Sequence, residues 1–430
     1  MSDHLRLYVV VALTGAAAGL VAAGFHRLLD LLAERRAGAA ALAASLGVPG
    51  WLVAVVLGIA LVALAVWMVR RLAPEAAGSG IQEIEGTLQG RRTLSWKRLL
   101  PVKFAGGAAG IASGLVLGRE GPLIHMGGAI GAMFGALVRF DPHFRRILIA
   151  SGAGAGLAAA FNAPLAGILF VTEEMRNEFR YTFVSFQSVV VACVSATIVN
   201  DLWLGEGLSL PIQTFAAPPL GDLPLYAVLG LLIGVYGVLF NGALLKSLDG
   251  MAAVMRKNVW LTVATVGATI GLIVWFVPEA AGGGERLIES LLRDERTLAA
   301  VALLLLLRSI TTVGSYSVGT PGGIFAPMLA LGTLTGLLFA KLVALVPFVS
   351  VAEPGTFAVA AMGALFAATV RAPVTGVILV LELTGNLEMA LPIIVTCLMA
   401  TFAAEALGGR PVYRLLLDRT LRRAGRPPDR

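Results

Sequence analysis

The sequence predicts an all-α protein that crosses a membrane many times, and three observations carry that prediction. Of its 430 residues 57% are hydrophobic and only 14% are charged, whereas a soluble domain carries roughly 25% charged residues. Mean hydropathy is +0.85. Apolar runs long enough to cross a bilayer, about 20 residues each, recur along the whole chain. Examples are Leu7 to Leu29, Trp51 to Val69, Phe183 to Trp203, Leu225 to Leu245 and Trp260 to Val277. A soluble globule with one anchor does not account for this spacing.

The first run follows a short, weakly basic start and continues past the core length of a signal peptide, so it is expected to persist as a helix. Cys193 and Cys397 lie in apolar stretches without His or Cys at ligand spacing. They are expected to be small buried side chains, not a disulfide or a zinc site, and no cofactor is expected. The net charge is +7, but the basic residues sit at segment ends instead of clustering with aromatic side chains. Nucleic acid is therefore not an expected partner, and the lipid bilayer is. Arg414, Arg419, Arg422, Arg423, Arg426 and Arg430 form one basic stretch; Arg70, Arg71, Arg91, Arg92, Lys97, Arg98 and Lys103 form another. The positive-inside tendency puts both, and with them the C-terminus, in the cytoplasm. Arg35 and Arg36 leave the first loop ambiguous.

Transport folds are often built from two related halves, and a repeat is visible here. Gly127 and Gly131 follow Pro122 as Gly332 and Gly336 follow Pro327, at an offset of 205. Gly154, Ala163-Pro164, Gly167 and Glu173 match Gly363, Ala372-Pro373, Gly376 and Glu382 at an offset of 209. The expected organisation is a single transmembrane transport domain over 1–430, with repeats at 5–205 and 220–424 joined by the Pro- and Gly-rich stretch Gly205 to Pro224. Similarity alone does not fix their relative orientation. The repeat also sorts two adjacent acids. Glu173 is paired with Glu382, which suggests a shared structural task such as tying a helix end. Glu174 is matched by Leu383 and is the better functional candidate.

Three segments suit anion binding: Gly78-Ser79-Gly80-Ile81, Gly118-Arg119-Glu120-Gly121-Pro122, and Gly322-Gly323-Ile324-Phe325-Ala326-Pro327. Each is read as opening a helix. Glycine lets the backbone bend and approach a ligand closely, and Pro in the first turn costs no helix hydrogen bond. The free N–H groups and positive dipole end of such a helix favour an anion without a buried Lys or Arg. Close helix packing is the alternative use of these glycines; three such segments, one bearing an acid, favour the anion site.

Glu120 decides the matter. An ionised acid at mid-bilayer costs about 2.5 to 3.5 kcal/mol even on a lenient insertion scale, so such residues line ion or proton paths. A carboxylate beside an anion site can occupy it when ionised and leave when protonated, which couples the two occupancies. Arg119 could instead be a bridging partner that neutralises Glu120. Lys103 reads either as a source of positive potential or as a snorkelling helix-end residue. His4, His26, His125 and His143 show no ligand or triad spacing and are expected to be loop or packing residues. By residue type alone Phe325 could be a packing aromatic, and Tyr413 reads as an interfacial tyrosine.

With these residues in view, the chain resembles the CLC family of chloride channels and chloride/proton antiporters, and in particular its short bacterial antiporters. The resemblance runs from about Leu7 to Arg423. It includes the three segments above, Phe161-Asn162-Ala163-Pro164-Leu165-Ala166-Gly167, Arg371-Ala372-Pro373 and Pro411-Val412-Tyr413. It implies two inverted-topology repeats with broken and re-entrant helices, and a homodimer with one pathway per subunit in the inner (plasma) membrane. It implies that Ser79 and Tyr413 offer hydroxyls to chloride while the N–H groups of Ile324 and Phe325 complete its shell. Glu120 would be the gate, and Glu174 the inner glutamate that transfers protons. Serine at position 79 resembles the chloride-preferring form, and Tyr413 argues against the fluoride-exporting branch.

The sequence departs from the family pattern in three places. Gln82 stands where proline is usual after Gly-Ser-Gly-Ile, freeing an N–H and adding an amide. The start lies almost directly at the first membrane helix, so the leading amphipathic helix of some relatives is not expected. Too few residues follow Tyr413 for cytoplasmic CBS domains, so regulation through them is not expected. The expected function is exchange of chloride for protons, with transported ions and no enzymatic activity. A passive chloride channel of the same fold is the alternative, which Glu174 disfavours. An intramembrane protease using Glu173-Glu174 is remote. Glu178 stands where such enzymes place arginine, and no histidine follows His143.

Overall fold

The computed structural model describes residues 3–176, 182–205, 207–347 and 353–425; Glu178, Arg426 and Arg430, named above, lie outside the described residues. In chain order the helices are α1 (Asp3–Ser45), α2 (Gly50–Arg71), α3 (Ile81–Leu88), α4 (Trp96–Ala112), α5 (Glu120–Leu137), α6 (Pro142–Phe161), α7 (Pro164–Glu174), α8 (Phe183–Leu204), α9 (Leu223–Lys257), α10 (Val259–Phe276), α11 (Glu285–Arg293), α12 (Leu298–Ser317), α13 (Phe325–Val343), α14 (Pro354–Val370), α15 (Pro373–Thr384), α16 (Ala390–Ala406) and α17 (Val412–Arg423). Among the described residues nine helices are long and apolar enough to cross a membrane, and the five runs noted from the sequence lie in α1, α2, α8, α9 and α10. The protein is a multi-pass membrane protein.

Other helices are too short to span. At 1.5 Å per residue α7 and α15 cover roughly 16 to 18 Å, against about 30 Å of hydrocarbon. Their open ends need partners within the protein, because lipid offers none. The two acids set apart by the repeat provide them. Glu382 of α15 accepts from the N–H groups of Leu165 and Ala166 at 3.0 and 2.7 Å. Glu173 of α7 accepts from Val374 N, Thr375 N and the Thr375 hydroxyl at 3.0, 2.6 and 2.6 Å. Each short helix thus caps the other, as the pairing of these acids suggested. Glu173 is fully engaged in this cap, which leaves no basis for a paired-glutamate protease.

The repeat is equally visible in packing. α5 lies along α6 and α13 along α14, while α1 packs on α8 and α9 on α16. Gly127 and Gly131 bring α5 against the backbone of α6 at Gly152 and Leu148; Gly332 and Gly336 bring α13 against α14 at Ala361 and Phe357. For these four glycines close packing is the right reading. Pro74, Glu75, Gly78 and Gln82 line a cavity together with Arg419 of α17. Pro278, Glu279, Gly282 and Arg286, each 204 residues later, line a different cavity beside α1 and the start of α5. Matching positions of the two halves thus open into separate cavities.

A buried cation backs each of these loops. Lys103 is fully buried and its Nζ donates to the carbonyls of Ala76 and Gly78 at 3.0 and 2.6 Å. Its ammonium therefore ends inside the protein, which rules out the snorkelling reading. Arg308, also fully buried, donates from Nη1 to Glu279 O and Ala281 O at 3.2 and 2.7 Å and from Nη2 to Gly283 O at 3.1 Å. Arg308→Leu is expected to destabilise the protein strongly, because each stranded carbonyl costs about 1–3 kcal/mol. Arg308→Lys keeps the charge without the planar fork and should fall between. Thermal unfolding in detergent checks both, and an unchanged melting temperature in Arg308→Leu would rule the tie out.

Candidate functional site

The three glycine-bracketed segments, far apart in sequence, meet in the interior. Gly118 N donates to Gly323 O and Gly323 N to Gly118 O, both at 2.8 Å. Gly78 N donates to Thr320 O at 3.1 Å and Gly322 N to Gly78 O at 3.0 Å. From this junction α3 starts at Ile81, α5 at Glu120 and α13 at Phe325, so each segment opens a helix as read from the sequence. A Cβ on Gly121 would lie 2.9 Å from the Cα atoms of both Gly323 and Ser79; only glycine lets the three backbones come this close. First-turn N–H groups have no partner within their own helix, and three positive helix ends converge here.

Glu120 is the first residue of α5 and is fully buried. Its carboxylate folds back over Gly118, where a Cβ would collide with it. It interacts with the backbone N–H groups of Glu120 itself and Ala326. Neither oxygen reaches hydrogen-bond geometry with a partner among the described residues. Arg119 forms no ion pair with it among the described residues. That guanidinium turns away to Glu285, Nη2 to Oε1 at 3.0 Å, so the bridging alternative fails.

Ser79 is buried beside the same junction. Its hydroxyl donates to Gln82 Oε1 at 3.0 Å, and its N–H donates to the Tyr316 hydroxyl at 3.2 Å. Tyr316 in turn donates to Ser79 Oγ at 3.4 Å. The sequence reading does not name Tyr316; its one signal was a hydroxyl near the end of an apolar helix, six residues before Gly322. Ile324 is the N-cap of α13 and is buried. The Phe325 ring is buried among Phe161, Phe170, Phe366 and Tyr413, with centroids 6.3, 5.8, 4.5 and 6.3 Å away. Tyr413 is fully buried and its hydroxyl has no hydrogen-bond partner among the described residues. It is not an interfacial tyrosine.

Ser79, Glu120, Ile324, Phe325 and Tyr413 are therefore brought together, while Glu174 stands apart. At the end of α7, it lines a small cavity of about 100 Å³ with Glu85, Gln89, Glu173, Arg176, Arg371 and Arg414. Both Glu174 and Glu120 are within electrostatic reach of the Tyr413 hydroxyl. Both adjacent acids border this cavity, but both oxygens of Glu173 are taken up in capping α15, a task that Glu174 does not share.

Residues 61–405 match a family model described as voltage gated chloride channel. The chain is 46% identical over 415 residues to the H(+)/Cl(-) exchange transporter ClcA of Vibrio cholerae, covering 95% of this chain and 88% of that protein. It is 44% identical over 428 residues to ClcA of Vibrio parahaemolyticus, covering 98% and 91%. The crystal structure of a slow cyanobacterial Cl-/H+ antiporter matches with a TM-score of 0.91 and 38% identity, covering 98% of this chain and 99% of that one. An inverted-repeat membrane fold, helix starts converging on a buried acid and a match across most of the length agree: the chain belongs to the voltage gated chloride channel family.

Proposed function

We propose that the protein exchanges chloride for protons across the membrane, the activity that its relatives' names state for them. The observation that carries this reading is the Glu120 carboxylate, buried and without a hydrogen-bond partner among the described residues, at the junction of three helix starts. Chloride in this space would be held by the hydroxyls of Ser79 and Tyr413 and the N–H groups of Ile324 and Phe325. The same positive helix ends favour an ionised Glu120, so carboxylate and chloride compete for one place. Protonation removes that competition, and the side chain leaves with its proton. Glu174, in its cavity with Arg371 and Arg414, supplies protons from the other side. A passive channel has no use for this second acid.

The transport domain comprises the whole chain, with repeats at 5–205 and 220–424. Arg70, Arg92, Arg419 and Arg423 line one cavity, which supports placing both basic stretches and the C-terminus in the cytoplasm. Arg35 and Arg36, read from the sequence as part of a first loop, lie within α1; Arg36 lines the other cavity, which supports an outer position for that part of the helix. The bacterial relatives support the inner membrane as the location. The starts of α7 and α15 stand exposed at Leu165 and Val374, which supports a homodimer in which a second copy covers this face of the two half-length helices.

Glu174→Gln is expected to retain chloride flux in proteoliposomes and to lose proton movement driven uphill by a chloride gradient. Pumping that survives this change unaltered removes Glu174 from the proton path. Glu120→Gln is expected to make chloride flux insensitive to pH, whereas in the unaltered protein flux rises as protonation empties the path; parallel pH profiles for the two proteins would refute the gate. Gln82→Leu is expected to tighten chloride binding roughly 3- to 10-fold by freeing the Ser79 hydroxyl from Gln82. Calorimetric titration of chloride in detergent measures it, and weaker binding would show that the amide assists the anion.

A further inference from the structure

The gate proposed above must move to clear the path, and the ion pair beside it bears on where it goes. Arg119 is the N-cap of α5 and directly precedes Glu120. Its bond to Glu285 lies on the wall of a cavity of about 450 Å³ that Gly118 and Ala326 also line. Those two residues adjoin the Glu120 carboxylate, so the ion pair and the immediate neighbours of the gate line the same cavity. The pair is accessible, with side chains 23% and 38% exposed for Arg119 and Glu285. Arg119 also keeps a buried Nε without a hydrogen-bond partner, as do both Glu120 oxygens.

Glu285 is a fixed anchor. It begins α11 directly after Gly284, whose φ of 113° is left-handed, and the loop before it is tied down by Arg308. The other charged groups on the cavity wall are Asp30 and Arg36 of α1, Glu279, and Arg286 of α11. Glu279 is held by Arg296 at 2.6 Å, and Arg36 donates to Ala112 O at 3.2 Å. Arg119 is thus the cation that adjoins the gate, and a second carboxylate already holds it.

We propose that Arg119 is a positioning residue with two alternating partners: Glu285 while Glu120 covers the anion site, and Glu120 once that side chain has swung into the cavity. Glu285 competes for the guanidinium and so biases Glu120 toward the path. A ligand that binds one of two states shifts the balance by its differential affinity alone, and here the tethered competitor plays that part. The inference rests on the gate reading of Glu120.

The test is a double-mutant cycle on chloride turnover in proteoliposomes at one pH. Glu285→Gln keeps the shape, removes the charge and is expected to raise turnover about threefold or more, while Glu285→Asp stays near the unaltered protein. In a Glu120→Gln background the same Glu285→Gln change is expected to have no effect, because no gate remains to be released. Arg119→Gln, which removes the shared donor, should likewise abolish the response to Glu285→Gln. Equal acceleration with and without the Glu120 carboxylate would mean that Glu285 merely repels anions from the cavity, and would overturn the proposal. An unchanged turnover in correctly folded Glu285→Gln would also overturn it. Proton-coupled exchange that persists in Glu120→Gln would instead refute the gate itself.

Discussion

Four backbone hydrogen bonds hold the site together: the reciprocal pair between Gly118 and Gly323, and the bonds joining Gly78 to Thr320 and Gly322. Inside a membrane protein an irregular backbone cannot borrow partners from lipid, so these loops must satisfy one another. They can do so only where no side chain stands between them, which is why glycine recurs at each crossing. Lys103 adds bonds to the Ala76 and Gly78 carbonyls of the first of these loops, and Arg308 does the same at Glu279, Ala281 and Gly283 in the matching loop of the other half. With the loops fixed, the starts of α3, α5 and α13 are fixed as well. The convergence of their positive ends follows from this junction, not from any basic side chain at the centre.

That division of labour decides what could be read in advance. Helix starts are written in residue types, as glycine just before the start and, for α5 and α13, proline in the first turn, and α3, α5 and α13 begin where the sequence indicates. The fold class is legible for the same reason, since apolar length and small-residue spacing are composition. Their partners are not legible, because an N–H to carbonyl bond carries no residue identity. The Arg119–Glu285 pair joins positions 166 apart and has no local spacing to betray it. Lys103 and Arg308 differ in type, so a similarity search passes over the role they share. One stronger signal was present: Pro74-Glu75-Ala76-Ala77-Gly78 recurs intact as Pro278-Glu279-Ala280-Ala281-Gly282. Cys193 and Cys397, also 204 apart, pack their thiols in the same way against Gly154 and Gly363.

The two acids at the end of α7 show how a repeat helps to separate structure from chemistry. A residue needed to hold a duplicated frame is needed twice, and Glu173 and Glu382 cap each other's helices. A residue used for one event along a single path has no reason to be doubled. Glu174 meets Leu383 in the other half, as Glu120 meets Phe325.

The same logic gives the frame a direction. After a left-handed glycine, α3 and α11 begin alike, at φ values of 88° and 113°. Yet one loop reads Gly78-Ser79-Gly80-Ile81 and the other Gly282-Gly283-Gly284-Glu285. One presents a hydroxyl to the interior, the other a carboxylate to a cavity. The surroundings differ in the same sense. Beside Ser79, Arg70, Arg92, Arg256, Arg419 and Arg423 outnumber Glu75 and Glu83; beside Glu285, Arg36, Arg119 and Arg286 are balanced by Asp30, Glu279 and Glu285 itself. A cleft of one sign draws anions in, and a balanced one does not. Duplication therefore accounts for the symmetric geometry, while unequal charge gives one cavity a net positive lining and leaves Glu120 next to the balanced one.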